Sequence, residues 1–167
     1  MRALAIPCLL ATCLIAEGQI ASAQDLSTSI AGTWKLTSFV RKELQTGKVA
    51  NFYGERPIGY IVFSKTGHMV TLVVGSDRKA PLGGVATDAD RAELFKTMYA
   101  YSGKYTVQAD KVTYELDASW NQSWTGTKRP VFAEVDGDKL TITSPPYQSP
   151  TDGQNIVVVI NWERIDG

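Results

Sequence analysis

Chemistry has few places to reside in this chain. His68 is the single histidine, and histidine is the side chain whose ordinary titration lies near neutrality. Beside a carboxylate or a tyrosine hydroxyl it could move a proton, and if it faced an interior it could anchor the polar end of a guest. The nearby sequence supplies no such partner. Its place directly after Gly67 marks a strand start, so a rim or turn histidine without chemistry is the plainer reading. Glu115 and Asp117 stand two apart, which puts both carboxylates on one face of a strand, as an acid–base pair needs. Val112, Tyr114 and Leu116 take the other face. If that apolar face lines an interior, the two carboxylates are solvated and inert, and this is the reading adopted.

The aromatic side chains carry more weight. Tyr60, Tyr99, Tyr101, Tyr105, Tyr114, Trp120 and Trp124 crowd the middle of the sequence. Tyrosine and tryptophan combine a large apolar surface with a polar tip, which suits a pocket that is greasy yet orients its guest. The same rings could equally fill a closed interior solid. Trp120 and Trp124 lie in the polar run Ser119-Trp120-Asn121-Gln122-Ser123-Trp124, which poorly suits a buried strand. They are therefore expected at a mouth, as exposed or ligand-covered indoles.

Composition removes several classes of function. Cys8 and Cys13 are the two cysteines, and both lie in an N-terminal segment that reads as a secretory signal. Arg2 gives it a basic start, an apolar run extends from Ala3 to about Ile15, and Ala21-Ser22-Ala23 offers a small-x-small cleavage site. The run is shorter than the roughly 20 residues that a spanning helix needs. Leu10-Ala11-Thr12-Cys13 resembles a lipoprotein cleavage box only faintly, and export with cleavage near Ala23 into the periplasm or medium is preferred over anchoring. Cleavage would leave residues 24–167 as one domain without disulfides, a thiol nucleophile or cysteine metal ligands. Lysine plus arginine and aspartate plus glutamate each number 17, without clustering of the basic residues. Nucleic-acid partners and stable membrane insertion are not expected. A multi-histidine metal site is excluded by the count, and no cofactor is expected.

The elements that must position these groups read as strands with one helix. Trp34 to Arg41 alternates, with Trp34, Leu36 and Val40 on one face and Phe39 as an exception on the polar face. Ile58–Ser64 and His68–Val74 flank the turn Lys65-Thr66-Gly67 as a hairpin. Residues 75–86, rich in Gly, Pro, Asp and Ser, read as a loop. Thr87 is placed to cap a helix with Asp88 and Asp90 in its first turn. Leu94, Phe95, Met98 and Tyr101 recur at helical spacing, predicting an amphipathic helix over 87–102 that stops at Gly103. Further strands follow at 105–108, 112–117, 131–135, 139–143 and 155–165, with Asp136-Gly137-Asp138 a strong hairpin turn and 144–154 a Pro-rich loop. About eight strands joined mostly by hairpins suit an antiparallel barrel or a sandwich.

Closure has its own signature. Gly32-Thr33-Trp34-Lys35-Leu36 opens the first strand and Ile160-Asn161-Trp162-Glu163-Arg164 ends the last. Trp34, Trp162 and Arg164 are read as the structural clasp of the barrel, with the arginine stacked on the Trp34 indole, rather than as pocket residues.

Taken in order, Gly32-Thr33-Trp34-Lys35-Leu36, Gly59-Tyr60, Gly67-His68-Met69, Tyr101-Ser102-Gly103-Lys104-Tyr105, Trp124-Thr125-Gly126-Thr127, the run from Gly137 to Pro146 and Trp162-Glu163-Arg164 resemble the bacterial and fungal lipocalin-like domain family. The likeness runs from Gly32 to Arg164. It implies a calycin-type antiparallel barrel, some of whose members bind small molecules while relatives in biosynthetic pathways shape reactive intermediates. The family pattern carries an inward arginine on the strand after the Trp-x-Gly-Thr segment. Here that position is Val131, and Arg129, two residues earlier with the same strand parity, stands nearer the rim.

The expectation is an all-β protein, an antiparallel lipocalin-like barrel of about eight strands with one inserted α-helix. It binds a small apolar or amphipathic molecule, with Tyr60, His68, Tyr105, Tyr114, Trp120, Trp124 and Arg129 as candidate ligand contacts and no catalytic residue. An isomerase- or cyclase-type barrel enzyme built on His68 and a tyrosine is the rival. A filled barrel acting through its surface, by way of the 75–86 loop, is the third reading.

Overall fold

In a computed structural model the described residues are 26–149 and 153–165. The expected signal segment, with Cys8 and Cys13, lies outside them. Ten strands follow in chain order: β1 (Gly32–Glu43), β2 (Val49–Asn51), β3 (Ile58–Phe63), β4 (His68–Val74), β5 (Met98–Gln108), β6 (Lys111–Ser119), β7 (Lys128–Asp136), β8 (Lys139–Thr143), β9 (Tyr147–Gln148) and β10 (Asn155–Arg164). One helix, α1 (Asp88–Lys96), precedes β5. Eight strands, β1, β3 to β8 and β10, form a closed antiparallel barrel, sealed where β1 pairs with β10. The short β2 and β9 extend the edges of β1 and β10.

The connections sort by length to the two ends. Ser64–Gly67, Ala109–Asp110 and Gly137–Asp138 are tight turns, and they gather at one end with the start of β1 and the finish of β10. The long segments 44–57, 75–97 and 120–127, with 144–149, gather at the other. A tight turn brings neighbouring side chains together over an end, whereas long connections leave room between strands.

The short-turn end is packed. Trp34, Trp162, Phe63, Val112 and Leu140 are each at most 1% exposed there. A helical turn at residues 26–29, ahead of β1, adds Leu26 and fully buried Ile30 as a plug. The Trp34 indole donates to the Ile30 carbonyl oxygen at 2.9 Å, which pins the plug to the first strand. Burying those apolar surfaces is the main stabilising contribution of this end, at about 25 cal/mol per Å².

Two expectations are corrected. The helix ends at Lys96, not at residue 102, and Met98 already belongs to β5. Thr87 does cap it, in a capping box with Asp90, but none of its residues is buried, so it presents no core-facing stripe. Tyr99, Tyr101 and Tyr105 follow a strand's alternation, and Gly103 is a mid-strand residue rather than a helix stop. A Cβ there would collide with the Glu115 carbonyl oxygen, where β6 bulges beside β5. Phe39 is the second correction. A bulge between Leu36 and Ser38 shifts the parity of β1, so Phe39 turns inward and is buried.

Candidate functional site

The barrel is hollow toward its long-loop end. A cavity of about 690 Å³ opens there, a volume within the range of small-molecule pockets. Its floor is made by Ile61, Tyr114, Ile142 and Trp162, above the packed plug.

Its wall is aromatic, and two clusters meet in it. Phe39 from β1 touches Phe52 and Tyr53 from the 44–57 segment at centroid distances of 5.4 and 5.0 Å. Tyr99 and Tyr101, two residues apart on β5 and therefore on one face, stack at 5.5 Å. Phe39 and Tyr53 join the two groups through Tyr99 at 5.5 and 5.8 Å. At the mouth, Trp120 and Trp124 flank a 3-10 turn (Gln122–Trp124) capped by the Asn121 side chain, and their rings meet edge to face at 4.7 Å. The Trp120 indole donates to the Phe95 carbonyl oxygen at 3.2 Å, so helix α1 steadies that rim. The Pro-rich segment folds over the opposite side and contributes Ser144, Pro145 and Tyr147.

Arg129 enters from β7, opposite Tyr114 on β6. Its guanidinium carbon sits 3.5 Å from the centre of the Trp124 ring. Burial pulls its pKa below the usual guanidinium value, and the phenols of Tyr101 and Tyr147 oppose that shift. Burial likewise pushes the Tyr101 hydroxyl well above the ordinary phenol range, with Arg129 pulling it back. Tyr53 is pushed up to about 12 by burial, with Tyr147 adding to the effect. All these phenols are neutral at physiological pH and available as donors.

Three buried polar atoms at the cavity have no hydrogen-bond partner: Tyr114 Oη, Arg129 Nε and Trp162 Nε1. Buried polar groups are ordinarily satisfied, so three unpartnered atoms on residues of one cavity set it apart from the rest of the core.

The candidate residues thus divide. Tyr114, Trp120, Trp124 and Arg129 line the cavity. Tyr60 and His68 do not: β3 and β4 turn Ile61, Phe63, Met69 and Thr71 inward, which puts Tyr60 and His68 on the outer face, exposed. Tyr105 points inward at the packed end, against Phe63, with its hydroxyl donating to the Ser64 carbonyl oxygen at 2.9 Å. Glu115 and Asp117 stay outside the barrel, the first bonded to Lys128 at 2.6 Å and the second accepting from Ser102 at 2.9 Å. Among the described residues, no group of three or more His, Cys, Asp or Glu could hold a metal, and no helix is long and apolar enough to cross a membrane.

Sequence reasoning missed Phe39, Phe52, Tyr53 and Tyr147. Phe39 broke the alternation of its strand, which was the available sign of a bulge. Phe52-Tyr53 lay in a stretch given no element and Tyr147 in one read as loop, where adjacent aromatics and a ring after Pro145-Pro146 were the available signals.

Trp34, Trp162 and Arg164 close the barrel. Trp34 pairs with Arg164, whose guanidinium carbon lies 4.0 Å from the indole centre, and Trp162 pairs with Leu36. No curated protein matches the chain. The family model described as a lipocalin-like domain matches residues 31–165, which contain every strand of the barrel. With the eight-stranded closure and that match, the chain belongs to the lipocalin-like domain family.

Proposed function

We propose that this protein is exported and binds a small apolar or amphipathic molecule inside the barrel, without transforming it. The observation that carries this reading is the hollow itself: about 690 Å³, floored by core residues, walled by aromatic rings and open at one end. Rings held by their neighbours offer contact area at little entropic cost to the complex. The N-terminal segment, with its basic start, apolar run and small-x-small site, supports export.

Of the pair on which the enzyme reading relied, tyrosines line the hollow but the histidine lies away from it. His68 stands on the outer face, and the carboxylates of Glu115 and Asp117 are engaged outside. Among the described residues the cavity lining contains no acidic residue and no histidine, so proton transfer between a matched acid and base has little to draw on there.

The test is native mass spectrometry of the protein purified from its own host, paired with tryptophan fluorescence against a panel of aromatic and lipid-like probes. A reproducible co-purifying small molecule, or saturable shifts in the emission of Trp120 and Trp124, is the expected result. No co-purifying molecule together with fluorescence unmoved by every probe overturns the reading.

A further inference from the structure

Among the described residues the charge inside the cavity is one-sided: Arg129 brings the guanidinium, and no described aspartate or glutamate lines the space it faces. Lys128, at the rim of the same cavity, is set against Glu115 at 2.6 Å, and Arg41, on β1, lies 3.9 Å from Glu43. Arg129 takes part in no ion pair among the described residues, and its Nε is buried without an acceptor. A guanidinium does not discharge at physiological pH. Arg129 is half-buried, and a cation drawn part-way out of water is stabilised by a paired anion. The Trp124 ring at 3.5 Å offsets only part of the cost of leaving water, since an indole face supplies no lone-pair acceptor for the in-plane N–H groups.

The other unsatisfied atoms point the same way. Trp162 Nε1 can only donate, and Tyr114 Oη donates as a neutral phenol. The cavity is therefore rich in donors and poor in strong acceptors. Its complement is a molecule that brings acceptor oxygens, at least one of them charged, on an otherwise apolar body.

We propose that the molecule bound in the barrel is an amphipathic carboxylate, whose head group Arg129 holds in a paired N–H···O contact just inside the mouth while its apolar body lies along the aromatic wall. This rests on the reading of the barrel as a binding compartment and names the chemical class of its guest. A carboxylate fits the flat fork of a guanidinium in a way that a point-like donor set does not demand. Tyr101 and Tyr147, whose phenols lie close enough to Arg129 to exchange electrostatic influence with it, can donate to the same head group.

The experiment uses the purified chain and three probes that share one body: 1-pyrenebutyric acid, its methyl ester and 4-(1-pyrenyl)butyl phosphate. Binding is read by energy transfer from tryptophan to pyrene. The acid is expected to bind at least about tenfold more tightly than the ester, as charge-assisted contacts exceed neutral ones. In Arg129→Gln the acid should fall to the level of the ester, whose own affinity should hardly change, and Arg129→Lys should restore part of the difference. Equal affinity of acid and ester in the unaltered protein overturns the carboxylate assignment while leaving the binding reading standing. Phosphate binding well above the acid overturns it in favour of a phosphorylated guest. Failure of all three probes overturns it together with the binding reading. Because the acid–ester comparison is made on the unaltered chain, it decides even if Arg129→Gln fails to fold.

Discussion

Arg164, near the end of the last strand, lies over Trp34, near the start of the first, with its guanidinium carbon 4.0 Å from the indole centre. The same side chain donates to the carbonyl oxygens of Ala31 and Ser29 ahead of β1. One residue thus seals the strand seam, covers the indole and ties down the helical turn that carries Ile30 into the closed end. Replacing Arg164 by leucine keeps apolar cover on Trp34 but leaves two carbonyl oxygens without their donor. The expected loss of stability is about 2–4 kcal/mol, from two charge-assisted hydrogen bonds and a cation–π contact. Urea unfolding followed by tryptophan emission measures it. Arg164→Lys should recover less than half, because an ammonium cannot span both carbonyls and lie flat on the ring. A loss below about 0.5 kcal/mol would show that the clasp is ornamental.

The turn between β5 and β6 holds the one described non-glycine residue with positive φ. Ala109 sits at φ 55° in the two-residue link from Gln108 to Lys111. A Cβ in the left-handed region crowds the following carbonyl, whereas glycine reaches that region freely. Ala109→Gly should therefore stabilise the protein by about 0.5–1 kcal/mol, after allowing for the extra freedom glycine gains when unfolded. Thermal unfolding of the two proteins decides the sign, and a lower midpoint for the glycine variant would refute the argument.

Burial raises the pKa of Tyr53, Tyr99, Tyr101 and Tyr114 above the ordinary phenol value of 10.0. The folded state therefore holds these protons more tightly than the unfolded state. The stabilisation is whole below pH 10 and is lost as pH rises through the folded values, of which that of Tyr53 is about 12. Above pH 10 the slope approaches about 1.4 kcal/mol per pH unit for each such tyrosine. The urea midpoint should hold steady from pH 8 to 10 and then fall steeply. Tyrosinate absorbance of these residues should appear with unfolding rather than before it. A midpoint unchanged up to pH 12 would contradict the burial of the ring cluster.

How far the sequence disclosed this molecule depends on whether one strand face differs from the other. The clasp was legible because Gly32-x-Trp34 and Trp162-x-Arg164 occupy the two ends of a closing sheet, and Gly137-Asp138 marked its own hairpin. Tyr60 was misplaced for a physical reason. β3 is apolar on both faces, with Ile58, Tyr60 and Val62 outside and Ile61 and Phe63 inside, so hydrophobicity does not say which face is the core. The overlong helix has a similar origin. Leu94, Phe95, Met98 and Tyr101 fit a helical period while Tyr99, Tyr101 and Tyr105 fit a strand period, and the switch at Thr97 lies where the two overlap. Whether the barrel was hollow was not legible at all, because that depends on how eight strands share one volume rather than on the pattern of any one strand.

Arg129 and Val131 share the inner face of β7, and both border the cavity. Residues two apart on a strand are separated by about 6.6 Å along it. Because β7 starts at the mouth, residue 131 lies deeper, by somewhat less than that distance since barrel strands tilt from the axis. Exchanging the two side chains, as Arg129→Val with Val131→Arg, moves the cation one layer inward without altering composition or net charge. If Arg129 holds the head group of an amphipathic carboxylate, the exchanged protein should still prefer acids over their methyl esters. Its best straight-chain acid should differ in length, because the head group now sits deeper and the space beyond it, toward Ile61 and Ile142, is shorter. Competition of n-alkanoic acids of increasing length against pyrenebutyric acid measures the optimum in both proteins. The move also takes the guanidinium away from Trp124, so the exchanged protein should lose about 0.5–1 kcal/mol of stability from that contact. An optimum identical in the two proteins would mean that the acid does not take its position from residue 129, and that the length of the guest is read by the aromatic wall alone.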